Sequence, residues 1–374
     1  MLALALHEFH ARHGAVFTAV NGCEVVARYS DPPVEHTALR RAAAFFDLSC
    51  RGRLCVLGAD RERFLNGQVT NDVKTLGTGQ GCYAAIVNAK GRMESDAFIY
   101  RLPDEFLLDF EPGISTALIY RLERYVISDD VLIADAAPHY GLLSVQGPRA
   151  TAVVTALGLD VKPPAAPLTM VSAKDDRLGE IYLANQPRVG QPGFDLFVPM
   201  AAQVKAAETL LAAVKAVGGC AAGWDALEMA RIETGIPRFG ADMDATNLPP
   251  EAGLEDRAIS YTKGCYIGQE VIARVRTYGQ VTRRLCGLRL ADDLPRLPTR
   301  GNPLFKEGRE VGFVTSAVRS PVLNANIALG YVRRECNEVG TELTLRAAFG
   351  DSPARIVPLP FVELRREPVS GVPA

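Results

Sequence analysis

Apolar residues recur along this chain in two periods. ADRERFLNGQV (59–69) has helical spacing, with Asp60 placed to cap the first backbone N–H groups. CYAAIVN (82–88), DAFIYRL (96–102) and EFLLDFE (105–111) are rich in aliphatic and aromatic side chains and predict three strands. Lys90-Gly91 marks the turn between the first two. GISTALIYRLERYV (113–126) returns to a helical period through Ile114, Leu118 and Leu122, and HTALRRAAAFFDLS (36–49) also reads as helical.

A second block begins with LLSVQGP (142–148), a strand, and a short helix from Arg149. GFDLFVP (193–199) alternates like a strand. In AAQVKAAETLLAAVKAVGG a long helix puts Val204, Ala207, Leu211 and Val214 on one face and stops at Gly218-Gly219. WDALEMARIETG (224–235) is a further helix ending at Gly235. Strands and helices mixed without a βαβ rhythm predict α+β rather than a doubly wound sheet. From about Arg284 short strand candidates separated by Pro, Gly, Asn and Asp predict a small all-β barrel or sandwich.

Composition narrows the function classes. At 374 residues the chain is too long for one ordinary core. Hydrophobic residues are 48%, charged residues 22% and the net charge is −2, the balance of a soluble globular protein. That near-neutral total argues against a nucleic-acid-wrapping surface, and no apolar run reaches the ~18 residues of a membrane span. The N-terminus lacks a basic leader, so a cytoplasmic protein with reduced cysteines is expected. The four arginines around one tyrosine in RVRTYGQVTRR (274–284) fit a solvated or ligand-facing strand pair as well as they fit nucleic acid.

Catalytic motifs are scarce. There is no GxSxG, HExxH or P-loop, and GTGQG (77–81) precedes a strand, not the helix a phosphate cradle needs. His7 and His10 read as a polar surface face. SYTKGCYIGQEVIARV (260–275) is different. Gly264 is expected to free the backbone before Cys265, and Gly268-Gln269-Glu270 opens a helix. A helix N-terminus, Lys263, Arg274 and Arg276 would all favour the thiolate of Cys265; the alternative is a buried thiol beside a solvated lysine.

KGCYIGQE resembles the signature of the YgfZ-type folate-binding proteins, iron–sulfur cluster assembly factors related to the glycine cleavage T-protein (aminomethyltransferase). FDLSCRG (46–52), FLNGQVTNDV (64–73), KGRMESD (90–96), VQGPRA (145–150), RIETGIPRFGADM (231–243) and LPPEAGL (248–254) agree in order. The resemblance spans nearly the whole chain. It implies a ring of two α+β folate-binding domains (1–140 and 141–283) closed by a C-terminal β-barrel (284–374), with tetrahydrofolate in a central channel.

By that resemblance Asp195 would accept the pterin donors, the alternative being an outward-facing strand acid. Arg231 would meet the anionic glutamyl tail, or else be a surface charge beside Glu233. Tyr83, Gln269 and Asp96 complete the folate-side candidates, Asp96 contacting folate N5 or N10 or else facing solvent at a strand start, and Cys265, Lys263 and Asp96 are the candidates for chemistry. Where T-proteins carry two adjacent acids, this chain has Ser95-Asp96, which counts against aminomethyl transfer. The expected function is therefore a folate-binding accessory protein for iron–sulfur cluster assembly or repair, indirectly supporting tRNA-modifying enzymes. Its partners would be iron–sulfur enzymes or assembly proteins, with no direct nucleic acid or membrane contact. The alternative is an aminomethyltransferase-like one-carbon transferase.

Overall fold

The computed structural model describes residues 1–279 and 281–363. Three strand systems carry the fold. An antiparallel five-stranded sheet runs Gly81–Val87, Met93–Arg101, Phe106–Phe110, Gly52–Leu57, Leu132–Asp135. A six-stranded sheet runs Thr169–Asp175, Gly179–Asn185, Gly193–Pro199, Tyr140–Gln146, Ala44–Asp47, Cys220–Ala221. Six C-terminal strands form a closed barrel, where Arg283–Leu290 pairs on one side with Ala325–Arg333 and on the other with Gly350–Val357. Closure removes the exposed edges a small sheet would otherwise present. Two α+β units and a C-terminal barrel are thus the architecture, as the resemblance implies; the strand spacing alone leaves barrel and sandwich open.

The strand Gly81–Val87 explains why its sequence is apolar at nearly every position: both of its faces are covered. Ala84 and Ile86 join Leu65, Leu118 and Leu122 under the helices Arg61–Gln68 and Ser115–Glu123. Tyr83, Ala85 and Val87 join Phe239, Met243, Leu254, Tyr266 and Ile272 on the opposite face. Residues 239–272 therefore pack on the first sheet although they follow the second in sequence. The N-terminal strand Ala44–Asp47 crosses the other way into the six-stranded sheet. The boundary expected at 140 follows the last strand of the five-stranded sheet, but Ala44–Asp47 of the six-stranded sheet lies before it.

Several local expectations change. The stretch 36–49 is helical only to Arg41, within the helix Pro32–Arg41, and becomes the strand Ala44–Asp47. Asp60 precedes its helix, but its carboxylate accepts from the backbone N–H of Asp130 rather than capping. The helix Gln203–Ala216 buries Ala206, Ala207, Leu210, Leu211 and Val214, and leaves Val204 exposed. His10 is fully buried, with Nε2 2.8 Å from an Asp47 oxygen and Nδ1 2.7 Å from the Tyr29 hydroxyl, so it is no surface face. The stretch 274–284 is no strand pair: Arg274 and Arg276 lie on the helix Gln269–Tyr278, and Arg283 and Arg284 open the barrel. Its central tyrosine side chain and Gln280 lie outside the described residues. Among those residues no helix is long and apolar enough to cross a membrane.

The two glycines of KGCYIGQE are not equivalent. Gly268 has φ +80°, and a Cβ there would lie 2.5 Å from the Asn88 carbonyl oxygen. Gly264 lies outside the positive-φ set and would meet nothing within 4 Å. We expect Gly268→Ala to destabilise the protein by at least ~2 kcal/mol in urea unfolding, from left-handed backbone strain plus overlap. Gly264→Ala should stay within about 0.5 kcal/mol of the parent. Equal effects would refute this reading of the loop.

Candidate functional site

The helix Trp224–Glu233 sits where the three strand systems meet. Its 3.6-residue period turns Trp224, Leu227, Glu228 and Arg231 toward one cavity, while Ile232 packs on the barrel. The cavity's other wall comes from the five-stranded sheet through Tyr83, Asp96, Phe98, Asp109 and Glu111. The space it encloses for solvent is about 80 Å³, and it opens to bulk solvent at its mouth.

Most charges around this cavity neutralise one another. Asp195 receives Arg188 at 2.5 Å, and the same guanidinium reaches Asp109 at 2.6 Å. Asp109 also holds Arg51 at 2.6 Å, and Arg51 bonds Glu111. Arg238 lies 3.4 Å from Glu111 and 2.9 Å from Glu228. Arg231 then joins Glu228 at 2.7 Å to Asp242 at 2.5 Å, and donates to the Ser316 hydroxyl of the barrel at 2.7 Å. Burial opposes ionisation of Asp109 and Glu228, but their paired arginines overcome it: Asp109 is held below the usual range and Glu228 down to about 2.

Asp96 is the exception. It is buried, and its side-chain partner is the Tyr83 hydroxyl, which donates at 2.5 Å. No arginine or lysine pairs with it among the described residues. Burial, reinforced by the nearby Glu111 charge, raises its pKa to about 6 against the pull of the Tyr83 bond and Arg51. A carboxylic acid that titrates near neutrality in a cleft is suited to moving protons.

Strand alternation also settles what Ser95 means. Ser95 pairs across to Ile86 and shares its helix-covered face, whereas Asp96 pairs to Ala85 on the other face. An acid at position 95 would point away from the cavity. The carboxylate able to reach the cavity from this dipeptide is the one at 96, and this chain has it. The Ser95-Asp96 departure does not remove cavity chemistry.

The other expected residues are placed as follows. Tyr83 and Arg231 line the cavity with Asp96. Arg231 is buried and turned to Glu228 and Asp242; Glu233 goes instead to His36, Arg40 and Ser320. Asp195 is buried rather than outward-facing and meets the cavity through Arg188. Lys263, Cys265 and Gln269 lie outside the cavity lining. The Lys263 ammonium is buried and donates to the carbonyls of Asn66, Val69 and Asn71 at 2.6, 2.8 and 2.6 Å. Burial pushes its pKa down to about 8, which leaves it charged at neutral pH.

Cys265 is exposed, on the loop before the helix Gln269–Tyr278. The cations expected around it have other partners: Arg274 bonds Glu270, and Arg276 lies 4.0 Å over the Tyr261 ring. Gln269 opens the helix and is half-buried. Sequence reading missed Arg51, Asp109, Glu111, Arg188, Trp224, Glu228, Arg238 and Arg257. A usable signal existed for Asp109, a charge in the middle of the otherwise apolar FLLDF.

Comparison with known proteins adds the family. Residues 6–263 match the GCVT N-terminal domain and residues 283–363 the glycine cleavage T-protein C-terminal barrel domain. An aminomethyltransferase of Rubrobacter xylanophilus is 30% identical over 98% of this chain and 95% of its own. One of Shouchella clausii is 28% identical over 96% and 98%. The crystal structure of the glycine cleavage system aminomethyltransferase T from Bartonella henselae superposes with a TM-score of 0.88, at 25% identity, over 97% of this chain and 98% of that one.

The site geometry predicts a stability trade. Folded Asp96 binds its proton more tightly than the unfolded chain, whose ordinary value is 3.8. Stability is therefore lost as pH rises from about 4 to about 6. Asp96→Asn keeps an acceptor for Tyr83 and removes the buried charge. It should be more stable than the parent by ~2–3 kcal/mol at pH 7 and equal to it near pH 4. Denaturant unfolding at both pH values measures the gap; no gap at pH 7 would show the carboxylate to be solvated.

Proposed function

The chain belongs to the glycine cleavage T-protein family, and from that premise we propose that it is a tetrahydrofolate-dependent one-carbon transferase of the aminomethyltransferase type. The observation that carries this reading is Asp96: a buried, unpaired carboxyl, with pKa near 6, on the cavity wall under Tyr83.

The residues present fit a reduced folate. Leu48, Phe98, Trp224 and Leu227 give the cavity flat apolar walls suited to a ring system. Asp195, offered by the resemblance as the pterin acceptor, supports binding by way of Arg188, whose guanidinium it already holds. Tetrahydrofolate, when bound, supplies the nitrogen pair that takes up the one-carbon unit. Asp96, ionised, accepts an N–H from an amine at the cavity wall and takes its proton at a carboxylate oxygen. Tyr83 fixes the orientation of that carboxylate through its hydroxyl. The apolar walls limit water at the reacting atoms.

The test is transfer from an aminomethylated carrier protein to tetrahydrofolate, followed by methylene-tetrahydrofolate formation. Activity should fall as pH drops through about 6, because the proton acceptor is then lost. Asp96→Asn should reduce turnover by ~10²–10³-fold, the size of a general acid–base contribution. Full activity in that variant would end the proposal.

A second reading rests on a different observation. KGCYIGQE, with Cys265 exposed and free, supports the YgfZ-type role: a folate-binding accessory factor for iron–sulfur cluster assembly or repair, with iron–sulfur enzymes or assembly proteins as partners and tRNA modification as an indirect beneficiary. Soft thiolate ligands suit iron–sulfur chemistry. One cysteine cannot hold a cluster, and among the described residues no His/Cys/Asp/Glu group is arranged for a metal ion; the partner would complete the ligand set. In a knockout complemented with Cys265→Ser, iron–sulfur enzyme activity should drop while the protein stays folded. Normal enzyme activity there would exclude this role.

A further inference from the structure

Five arginines line the cavity: Arg51, Arg188, Arg231, Arg238 and Arg257. The first four are bound to carboxylates. Arg257 has no carboxylate partner among the described residues. It belongs to the short exposed turn of helix Glu255–Ala258, and its guanidinium stands 5.5 Å over the ring of Tyr83, whose hydroxyl is bonded to Asp96. An exposed cation without a carboxylate partner among the described residues therefore lies over Tyr83, the residue bonded to the group assigned the proton chemistry.

Its backbone is braced from behind. The Asn71 side chain donates to the carbonyls of Tyr83 at 2.9 Å and Arg257 at 3.4 Å. The Thr70 hydroxyl donates to the Ala258 carbonyl at 2.6 Å. Lys263 in turn gathers the carbonyls of Asn66, Val69 and Asn71. The lysine of KGCYIGQE thus holds the loop that holds Arg257.

We propose that Arg257 is the residue that grips the anionic tail of the ligand, namely the glutamyl carboxylates of a reduced folate whose ring end occupies the cavity. This assignment rests on the folate reading above and deepens it. Arg231, the candidate from sequence, donates to Glu228, Asp242, Ser316 and the Ile236 carbonyl and has little left to offer a carboxylate. Arg257 offers its whole guanidinium fork, the geometry that matches a carboxylate in two parallel bonds.

Calorimetric titration of the full chain tests it with three ligands: tetrahydrofolate monoglutamate, its triglutamate, and 6-methyltetrahydropterin, which has no carboxylate. Arg257→Ala should weaken both folates roughly ten- to a hundred-fold, the scale of a lost hydrogen bond between charged groups. It should leave 6-methyltetrahydropterin unchanged and abolish any preference for the triglutamate, while Arg257→Lys should keep part of the affinity. The Arg257 side chain donates no hydrogen bond among the described residues, and an unchanged thermal midpoint checks that the variants fold. Equal weakening of all three ligands would overturn the assignment, because Arg257 would then act through Tyr83. So would no weakening at all. A parent protein that binds none of the three would instead overturn the folate reading, and this assignment with it.

Discussion

A buried run of alternating charge joins the three parts of this molecule: Asp195, Arg188, Asp109, Arg51, Glu111, Arg238, Glu228, Arg231, Asp242. It starts in the six-stranded sheet, crosses the five-stranded sheet, passes through the helix Trp224–Glu233 and ends against Thr315 and Ser316 of the barrel. Most of these ions have lost their water, Glu228 and Arg238 being partly exposed, so each depends on its neighbours, and deleting a buried member leaves an unpaired buried charge. Such a run contributes little net stability compared with hydrocarbon. What it imposes is geometry: the units must meet at the angle that satisfies every guanidinium fork.

Because that run uses up its own charges, whatever remains unpaired nearby stands out. Among the described residues Asp96 has no cationic partner on the inner wall, and Arg257 has no carboxylate partner. Asp96 destabilises the fold whenever it is ionised, and a protein selected for stability alone would place an amide there. The Tyr83 hydroxyl limits that cost without removing it. A group kept at a stability disadvantage, oriented by a hydrogen bond and enclosed by aromatic side chains, is what proton transfer near neutrality requires.

The elements that were legible in the sequence owe their clarity to local physics. GFDLFVP forms a strand over those seven residues, with Phe194, Leu196 and Val198 in one core cluster and Phe197 in another, so both of its faces are buried. The apolar run around Ala84–Ile86 signalled a strand, though not that its two faces would be covered by segments from opposite ends of the chain. Val204 obeys the helical period, yet that edge of its helix faces solvent. Asp60 has the right chemistry for a cap, but its carboxylate accepts from the Asp130 N–H instead. For the site, Tyr83, Asp96 and Arg231 could be named from motifs, whereas Arg188, Glu111 and Arg257 could not. Their roles depend on which partner each guanidinium or carboxylate meets, and those partners lie up to 127 residues apart, as Arg238 and Glu111 do. Charge pairing across such separations leaves no periodic trace.

KGCYIGQE shows how a motif can mix structural and chemical requirements. Lys263 points inward and ties down the loop 66–71; Tyr266 is packed in the core on the face of the five-stranded sheet; Gly268 makes a turn that a side chain would block. Glu270 makes an exposed ion pair with Arg274, one turn along its helix, of the kind that contributes only a few tenths of a kcal/mol. These positions serve the fold in either functional reading, so their presence does not discriminate between a transferase and an accessory factor. The Cys265 side chain plays no structural part, being exposed, with no hydrogen bond from its thiol among the described residues and no place in the core clusters. A serine would occupy that place at no cost to the fold. What would distinguish the two readings is therefore one sulfur atom on the surface, outside the cavity lining.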